Sequence, residues 1–208
     1  MSTFLVTSFV TLFVIIDPVG TAALFAGLTH GWTEIERRGS AKLGIGVAAV
    51  LMLAFAFGGG ALMHALGISL SALRIAGGVL LFLLATDMVL ARPSGVRGIT
   101  RGEREEAERR EDVAVFPLAF PLIAGPGALT SVVLLMGAAR SWTDIASVVA
   151  SIIVVLVLTL AALLFATRIS ALLGVTGTNV IGRVLGVVLA ALAAQFVLDG
   201  VAEWLPHA

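Results

Sequence analysis

Long runs of apolar residues fill most of the 208-residue chain and are separated by shorter polar segments. An apolar run of about twenty residues is long enough to cross the hydrocarbon core of a bilayer as one α-helix. The pattern therefore predicts an all-α membrane protein with six transmembrane helices, at roughly 4–28, 43–66, 68–91, 113–139, 145–167 and 179–201.

The polar breaks between the predicted helices differ greatly in length. Only Ala65-Leu66-Gly67 separates the second helix from the third, which predicts a tight helical hairpin. The third helix is followed by a long loop at 92–112, which holds 12 of the 26 charged residues. Its mixed signs are typical of a solvated helix or a disordered linker. The chain therefore divides into residues 1–91, a charged cytoplasmic loop at 92–112, and residues 113–208.

The composition supports a membrane protein and excludes several function classes. Hydrophobic residues make up 59% of the chain and charged residues 12%, with a mean hydropathy of +1.10. Soluble domains carry about 25% charged residues. A net charge of zero without a one-sided basic patch argues against nucleic acid. The lack of cysteine excludes a disulfide, a thiolate nucleophile and a Cys-ligated metal site.

Lysine and arginine are distributed unevenly between the predicted loops, which indicates an orientation. If the N-terminus lies outside, the cytoplasmic loops contain ten of these residues and the outer loops contain only Arg140. Cytoplasmic loops are enriched in Lys and Arg, so both termini are predicted on the outer face. The first residues lack the basic start of a signal peptide, so the first apolar run is expected to remain as a helix. A bacterial or archaeal inner membrane is the expected location.

Two sequence landmarks recur at nearly the same offset. A shift of 109 residues places 73–80 over 182–189, and a shift of 108 places 17–20 over 125–128. Both matches indicate a duplication of three helices. Because three is an odd number, the second copy inserts upside down, which gives two inverted three-helix repeats. Secondary transporters often have this plan, with the solute site near the midplane where the repeats meet.

The first predicted helix contains Asp17, followed by Pro18 and then Gly20, close to its middle. A carboxylate at that depth costs roughly 2.5–3.5 kcal/mol unless it faces a cavity or a partner. Proline removes a backbone donor, so a broken helix is predicted at 17–20. A purely structural alternative is a proline kink in which Asp17 caps a second half-helix. The functional hypothesis is an ionisable group at a substrate site.

A second break is predicted at 117–127, where three prolines and two glycines occur within the twelve residues 116–127. A half-helix that starts after Gly127 would point free N–H groups near residues 128–129 into the bilayer, where they suit a carboxylate. Thr130 and Ser131 would line its first turn. The alternative is a kinked helix packed through small residues; the matching break in the first helix favours a site.

Polar residues of the sixth helix complete the candidate site. Arg183 follows Asn179 and is positioned to pair with a carboxylate, whereas Arg74 is expected to reach the headgroups. Gln195 suits either an interhelical hydrogen bond or contact with the solute. The predicted substrate-binding residues are Asp17, Pro18, Gly20, Gly125, Gly127, Ala128, Thr130, Ser131, Asn179, Arg183 and Gln195.

Common catalytic and nucleotide-binding motifs are absent from the sequence. It contains no Walker loop, no Gly-x-Ser-x-Gly and no His-Glu-x-x-His, and its three histidines are scattered. No enzyme activity, metal site or cofactor is therefore predicted.

Three stretches resemble the MarC family, also classed as the six-span neutral amino acid transporter family. They are Ile16-Asp17-Pro18-Val19-Gly20, the residues 117–128, and Asn179-Val180-Ile181-Gly182-Arg183 with Gly186 and Gln195. The resemblance covers nearly the whole chain. It implies six spans with both termini outside, and proton-coupled transport of small neutral amino acids such as glycine and alanine.

Together these observations favour a secondary transporter that works by alternating access between the two repeats. The half-helix after Gly127 would hold the solute carboxylate, and Asp17 would take the ammonium group or the coupling proton. Two other classes stay open. One is a channel-like or structural membrane subunit without its own transport cycle, and the other is an intramembrane enzyme. Close packing through glycine is compatible with a homo-oligomer.

Overall fold

The computed structural model describes residues 2–90 and 113–205, and every regular element within these ranges is helical. The predicted cytoplasmic loop at 92–112 lies outside the described residues. In chain order the elements are α1 (Ser2–Ile16), α2 (Pro18–Leu28), α3 (Glu34–Ala65), α4 (Leu70–Leu90), a π-helical segment π1 (Ala114–Ile123), α5 (Pro126–Ala138), α6 (Trp142–Leu164) and α7 (Ala166–Trp204).

Six stretches of the described chain are long and apolar enough to cross a membrane, if a bent pair counts as one. Five are helices or continuous helix pairs, and the sixth joins π1 to α5 with a bend of 54°. The predicted all-α fold with six spans and two broken helices is thus confirmed. The inverted relation between 1–91 and 113–208 stays a prediction.

The second and sixth helices begin earlier than the apolar runs suggest. Thr33 caps α3 by accepting from the amide of Glu36, whose side chain accepts from the Thr33 amide in return. The predicted start at residue 43 was therefore too late, because the helix has a charged first part outside the apolar run. α7 starts at residue 166, changes direction at Gly174, where φ is 60°, and spans the membrane from Thr176.

Helices α4 and α7 form the closest antiparallel pair of the fold. A Cβ on Gly78 would lie only 2.7 Å from the carbonyl oxygen of Ala193, and Gly200 approaches α4 almost as closely. Without a hydrophobic drive between helices in lipid, such close backbone approach is a main source of association. Arg74 does not simply reach the headgroups: its Nη1 donates to Glu203 at 2.6 Å and ties α4 to α7.

The first span is largely enclosed by protein. Of its most apolar part 56% is buried, against 22% for α3, and α1 and α2 both pack against α6. Leu12, Ile16 and Phe25 are completely buried there. Backbone groups freed by a helix break are tolerated at membrane depth only inside protein or beside a cavity. The break in the first span meets that condition because protein surrounds it.

Candidate functional site

The break between α1 and α2 is centred on Asp17, which caps α2. Its backbone is left-handed, with φ 48° and ψ 74°, a conformation that Asp tolerates better than most residues. Its Oδ1 accepts a hydrogen bond from the Gly20 amide at 3.0 Å, and the residue is only 3% exposed. A Cβ at Gly20 would overlap the carboxylate, so a larger residue there would displace the Asp17 cap. The structure thus shows the cap expected from the structural alternative.

Neighbouring polar groups satisfy the rest of this break. Pro18 stands at the first helical position of α2, where a missing N–H has no cost. The Gly20 amide donates to the Asp17 carboxylate. The Ile16 carbonyl accepts a hydrogen bond from the Thr21 hydroxyl at 2.8 Å. The Thr21 amide donates to the Asp17 carbonyl at 2.9 Å. The chain therefore turns within the membrane-spanning region while its own groups close the break.

The second break lies between π1 and α5. Phe116 and Phe120 have extended backbone inside π1, each directly before a proline, and the segment is closed by bonds five residues back, such as Ala124 N–H to the Ala119 carbonyl at 2.8 Å. α5 then begins at Pro126, with Gly125 as its cap residue. The half-helix predicted after Gly127 is present but starts two residues earlier.

The N-terminus of α5 has no side-chain cap. The first amides of an α-helix find no carbonyl partner inside the helix. The amide of Leu129, one of those predicted to be free, donates to the Gly125 carbonyl at 3.0 Å. Pro126 has no N–H, so the uncapped amides are those of Gly127 and Ala128. They carry the positive end of the α5 dipole.

Gly125 prevents any side chain from capping this terminus. A Cβ at Gly125 would overlap the carbonyl oxygen of Pro121, which belongs to the backbone and cannot rotate away. Every residue with a capping side chain also has a Cβ. The same close approach that bends π1 against α5 thus keeps the α5 amides open.

A small cavity of about 40 Å³ lies at the uncapped terminus. A volume of that size holds about three water molecules. The wall consists of the end of π1, the start of α5, and apolar side chains of α1 and α4. These residues are Ile15, Leu80, Leu84, Pro121, Leu122, Ile123, Gly125, Pro126, Gly127 and Ala128.

The cavity brings the two breaks close together. A Cβ on Gly127 would be 2.5 Å from Cδ2 of Leu81 and 3.9 Å from Cγ2 of Ile15. Ile15 lies two residues before Asp17, so the end of α1 contacts the start of α5. Asp17, Pro18 and Gly20 themselves do not line the cavity. Sequence reasoning found both breaks but missed Ile15, Leu80 and Leu84, because nothing distinguishes them from the other apolar residues of their helices.

Thr130 and Ser131 lie in the first two turns of α5, in different environments. Thr130 packs its methyl group against Gly77 of α4. Ser131 is completely buried, and its Oγ has no hydrogen-bond partner among the described residues. A buried hydroxyl without a partner costs about 1–3 kcal/mol. Such a cost points to a water or a ligand as the missing partner.

The predicted residues of α7 lie apart from this cavity. Asn179, Arg183 and Gln195 are all exposed on the surface of α7, and none of them lines the cavity. Gln195 donates to Asp199 of the same helix at 2.6 Å instead of bridging two helices. Their part in substrate binding stays a prediction. Within 2–90 and 113–205, no three His, Asp or Glu side chains are grouped as metal ligands would be.

Known proteins are similar to this chain over almost its full length. The family model described as "MarC family integral membrane protein" matches residues 2–205. A UPF0056 membrane protein of Archaeoglobus fulgidus is 36% identical over 97% of this chain and 94% of its own length. The UPF0056 membrane protein YvbG of Bacillus subtilis is 32% identical, over 99% of this chain and 98% of its own length. No solved structure matches the chain.

Proposed function

The chain belongs to the MarC family of integral membrane proteins, and from that premise we propose that it is a secondary transporter of small neutral amino acids. The observation that carries the proposal is the pair of uncapped amides, those of Gly127 and Ala128, at the cavity between the two helix breaks. A helix N-terminus favours an anion because its N–H groups and its dipole act in the same direction. The carboxylate of an amino acid is such an anion.

The first break supplies an internal precedent for this interaction. At α2 the Asp17 carboxylate accepts from the amide of Gly20, two residues after the proline at the first helical position. In the proposal the solute carboxylate binds the first amides of α5 as the Asp17 carboxylate binds the Gly20 amide of α2. The position is open because the cap residue Gly125 has no side chain. Discontinuous helices in transporters use their N-termini in this way for anionic substrate groups.

The size and chemistry of the cavity favour a small, uncharged side chain on the solute. Its side-chain wall is apolar, with Ile15, Leu80 and Leu84 on one side and the π1 residues on the other. Its volume of about 40 Å³ holds only about three water molecules. We therefore propose alternating access, in which the cavity widens toward one face of the membrane at a time.

Asp17 is the proposed group for the ammonium or for the coupling proton, because it lies two residues beyond the cavity wall at Ile15. In the proposal the protein resides in a bacterial or archaeal inner membrane with both termini outside, as the distribution of Lys and Arg favours. The solute and protons are its partners, and no enzymatic step is part of the cycle.

Uptake of labelled glycine, alanine and serine into proteoliposomes, with and without a proton gradient, tests the proposal. The informative variant is Asp17→Asn, because asparagine keeps an acceptor for the Gly20 amide and tolerates a left-handed backbone, so only the charge is lost. We expect saturable, gradient-stimulated uptake by the parent and loss of that stimulation in the variant.

Two other outcomes would change the proposal in different ways. Equal uptake by parent and Asp17→Asn would make Asp17 a structural cap and place the coupling group elsewhere. If the parent moves none of the three solutes, amino acid transport fails, and a channel-like or structural membrane subunit becomes the better hypothesis.

A further inference from the structure

Three serine hydroxyls, those of Ser8, Ser40 and Ser131, are buried without a hydrogen-bond partner in the described part of the chain, and Ser8 and Ser131 lie in half-helices that meet at the cavity. Ser8 of α1 and Ser131 of α5 are each 0% exposed, and neither Oγ has a hydrogen-bond partner there. Elsewhere in the helices the hydroxyls of Thr29, Ser151 and Thr159 donate to the carbonyl four residues before, at 2.7 Å. Ser8 and Ser131 lack such a bond, as does Ser40 near the start of α3.

Helical spacing places both hydroxyls at the interface between α1 and α5. Residues seven apart share one face of an α-helix, so Ser8 lies on the same face as Ile15. Residues four apart do so too, which puts Ser131 on the face of Gly127. Ile15 and Gly127 are the residues at which α1 and α5 approach each other beside the cavity. By helical spacing, both serines therefore face the side on which α1 and α5 meet.

Both half-helices lead from the cavity to the same face of the membrane. α1 starts at the face where the chain begins and ends at the cavity. After three full crossings, the fourth span starts at the opposite face and returns, so α5 runs from the cavity to the face of residue 2. Ser131 lies about 6 Å along α5 from Gly127, and Ser8 about 10 Å along α1 from Ile15. Thr11, also buried, lies about 6 Å along α1 from Ile15, at the level of Ser131.

We propose that the α1–α5 interface is the polar pathway that connects the cavity with the membrane face where the chain begins. Ser8 and Ser131 provide hydrogen bonds to water and to a small zwitterionic solute when the two half-helices separate. The pathway rests on the proposed function for its solute, but its access to water does not depend on which solute is carried. Hydroxyl groups suit this role because they both donate and accept.

Single cysteines test the pathway cleanly, because the chain contains none. Ser8→Cys and Ser131→Cys replace one small side chain by a similar one, and Thr11→Cys is a reserve if either variant fails to fold. A charged, membrane-impermeant thiol reagent is applied to either face of sealed vesicles. It reacts with the thiolate, which forms in water and not in lipid or in a dry core.

Two matched controls define the background. Val10→Cys lies on α1 between Ser8 and Thr11 but is exposed on the outer surface of the helix. Ser151→Cys replaces a buried hydroxyl of α6 that is bonded to its own backbone. Reaction after denaturation confirms in each variant that the thiol is present.

We expect Ser8→Cys and Ser131→Cys to react at least about tenfold faster than both controls, and only from the face where the chain begins. Reaction should slow when saturating alanine is present. The pathway is refuted if both variants react no faster than the controls, or only from the opposite face. Amino acid uptake with an unreactive interface would overturn this inference alone. A reactive interface without uptake would support the pathway and overturn the proposed function.

Discussion

The N-termini of α2 and α5 share one plan but differ in how their amides are satisfied. Each follows a break within a membrane span, and each has proline at its first helical position. At α2 the cap residue is Asp17, whose carboxylate accepts from the Gly20 amide. At α5 the cap residue is Gly125, and no side chain reaches the amides. One terminus carries its own carboxylate, and the other is open toward a cavity.

This difference favours a structural role for the first break and a binding role for the second. The closed terminus lies in a largely enclosed span and gives the protein a stable bend. The open terminus lies at a small cavity, and in the proposal it accepts a carboxylate from outside the chain. The Asp17 contact shows that a carboxylate fits such a proline-initiated terminus. The predictions below test whether the two termini are as different in function as they are in structure.

The largest effect is expected from Gly125→Ala. The new Cβ would overlap the Pro121 carbonyl oxygen, so the start of α5 must move. Its first amides would then no longer be oriented toward the solute carboxylate in the cavity. Uptake should fall by about tenfold or more, the size expected for losing a hydrogen bond to a charged group. Gly58→Ala is the matched control, because nothing lies within 4 Å of its added Cβ. Equal uptake by both variants would contradict an aligned α5 terminus.

A smaller and different effect is expected from Asp17→Ala. It removes the cap of α2 and puts alanine into a left-handed conformation, which together lower the free energy of unfolding by about 1–3 kcal/mol. Denaturant titration of the protein in detergent measures this change, with Asp17→Asn as the variant that keeps the cap. Were Asp17→Ala as stable as the parent, the carboxylate would not be closing the first break.

The smallest effect is expected from Gly20→Ala, and its sign should depend on Asp17. In the parent the added Cβ displaces the carboxylate, and the lost cap outweighs or cancels the helix preference of alanine, which is about 1 kcal/mol. In the Asp17→Ala background no carboxylate is present, so Gly20→Ala should stabilise the protein. A double-mutant cycle reports this coupling. Independent, additive effects would show that the two residues do not interact.

The two breaks could be predicted from the sequence because proline chemistry determines them locally. Pro18 and the prolines of 117–126 lack a backbone donor wherever they stand, so the helices had to be interrupted there. The openness of the α5 terminus could not be predicted in detail. It depends on the approach of Gly125 to Pro121 and on the Leu129 amide reaching the Gly125 carbonyl, and both are set by how π1 folds.

The polar residues of α7 show where prediction from the sequence fails. Asn179 and Arg183 stand out in an apolar sequence, yet they are exposed, and the cavity is lined by residues such as Leu80 and Leu84 that carry no sequence signal. The helical face on which a residue lies relative to its neighbours follows from packing. Spacing along one helix does not determine which other helix it contacts. Gly174 likewise gave no sign that it would redirect α7.

The most direct test of the central claim is competition against uptake of labelled alanine by alanine itself and by alaninamide, in which a neutral amide replaces the carboxylate. If the α5 terminus holds the solute carboxylate, alaninamide should compete at least about tenfold more weakly, because it lacks the charge that the uncapped amides favour. Equal competition by the two compounds would contradict a carboxylate site at Gly127 and Ala128.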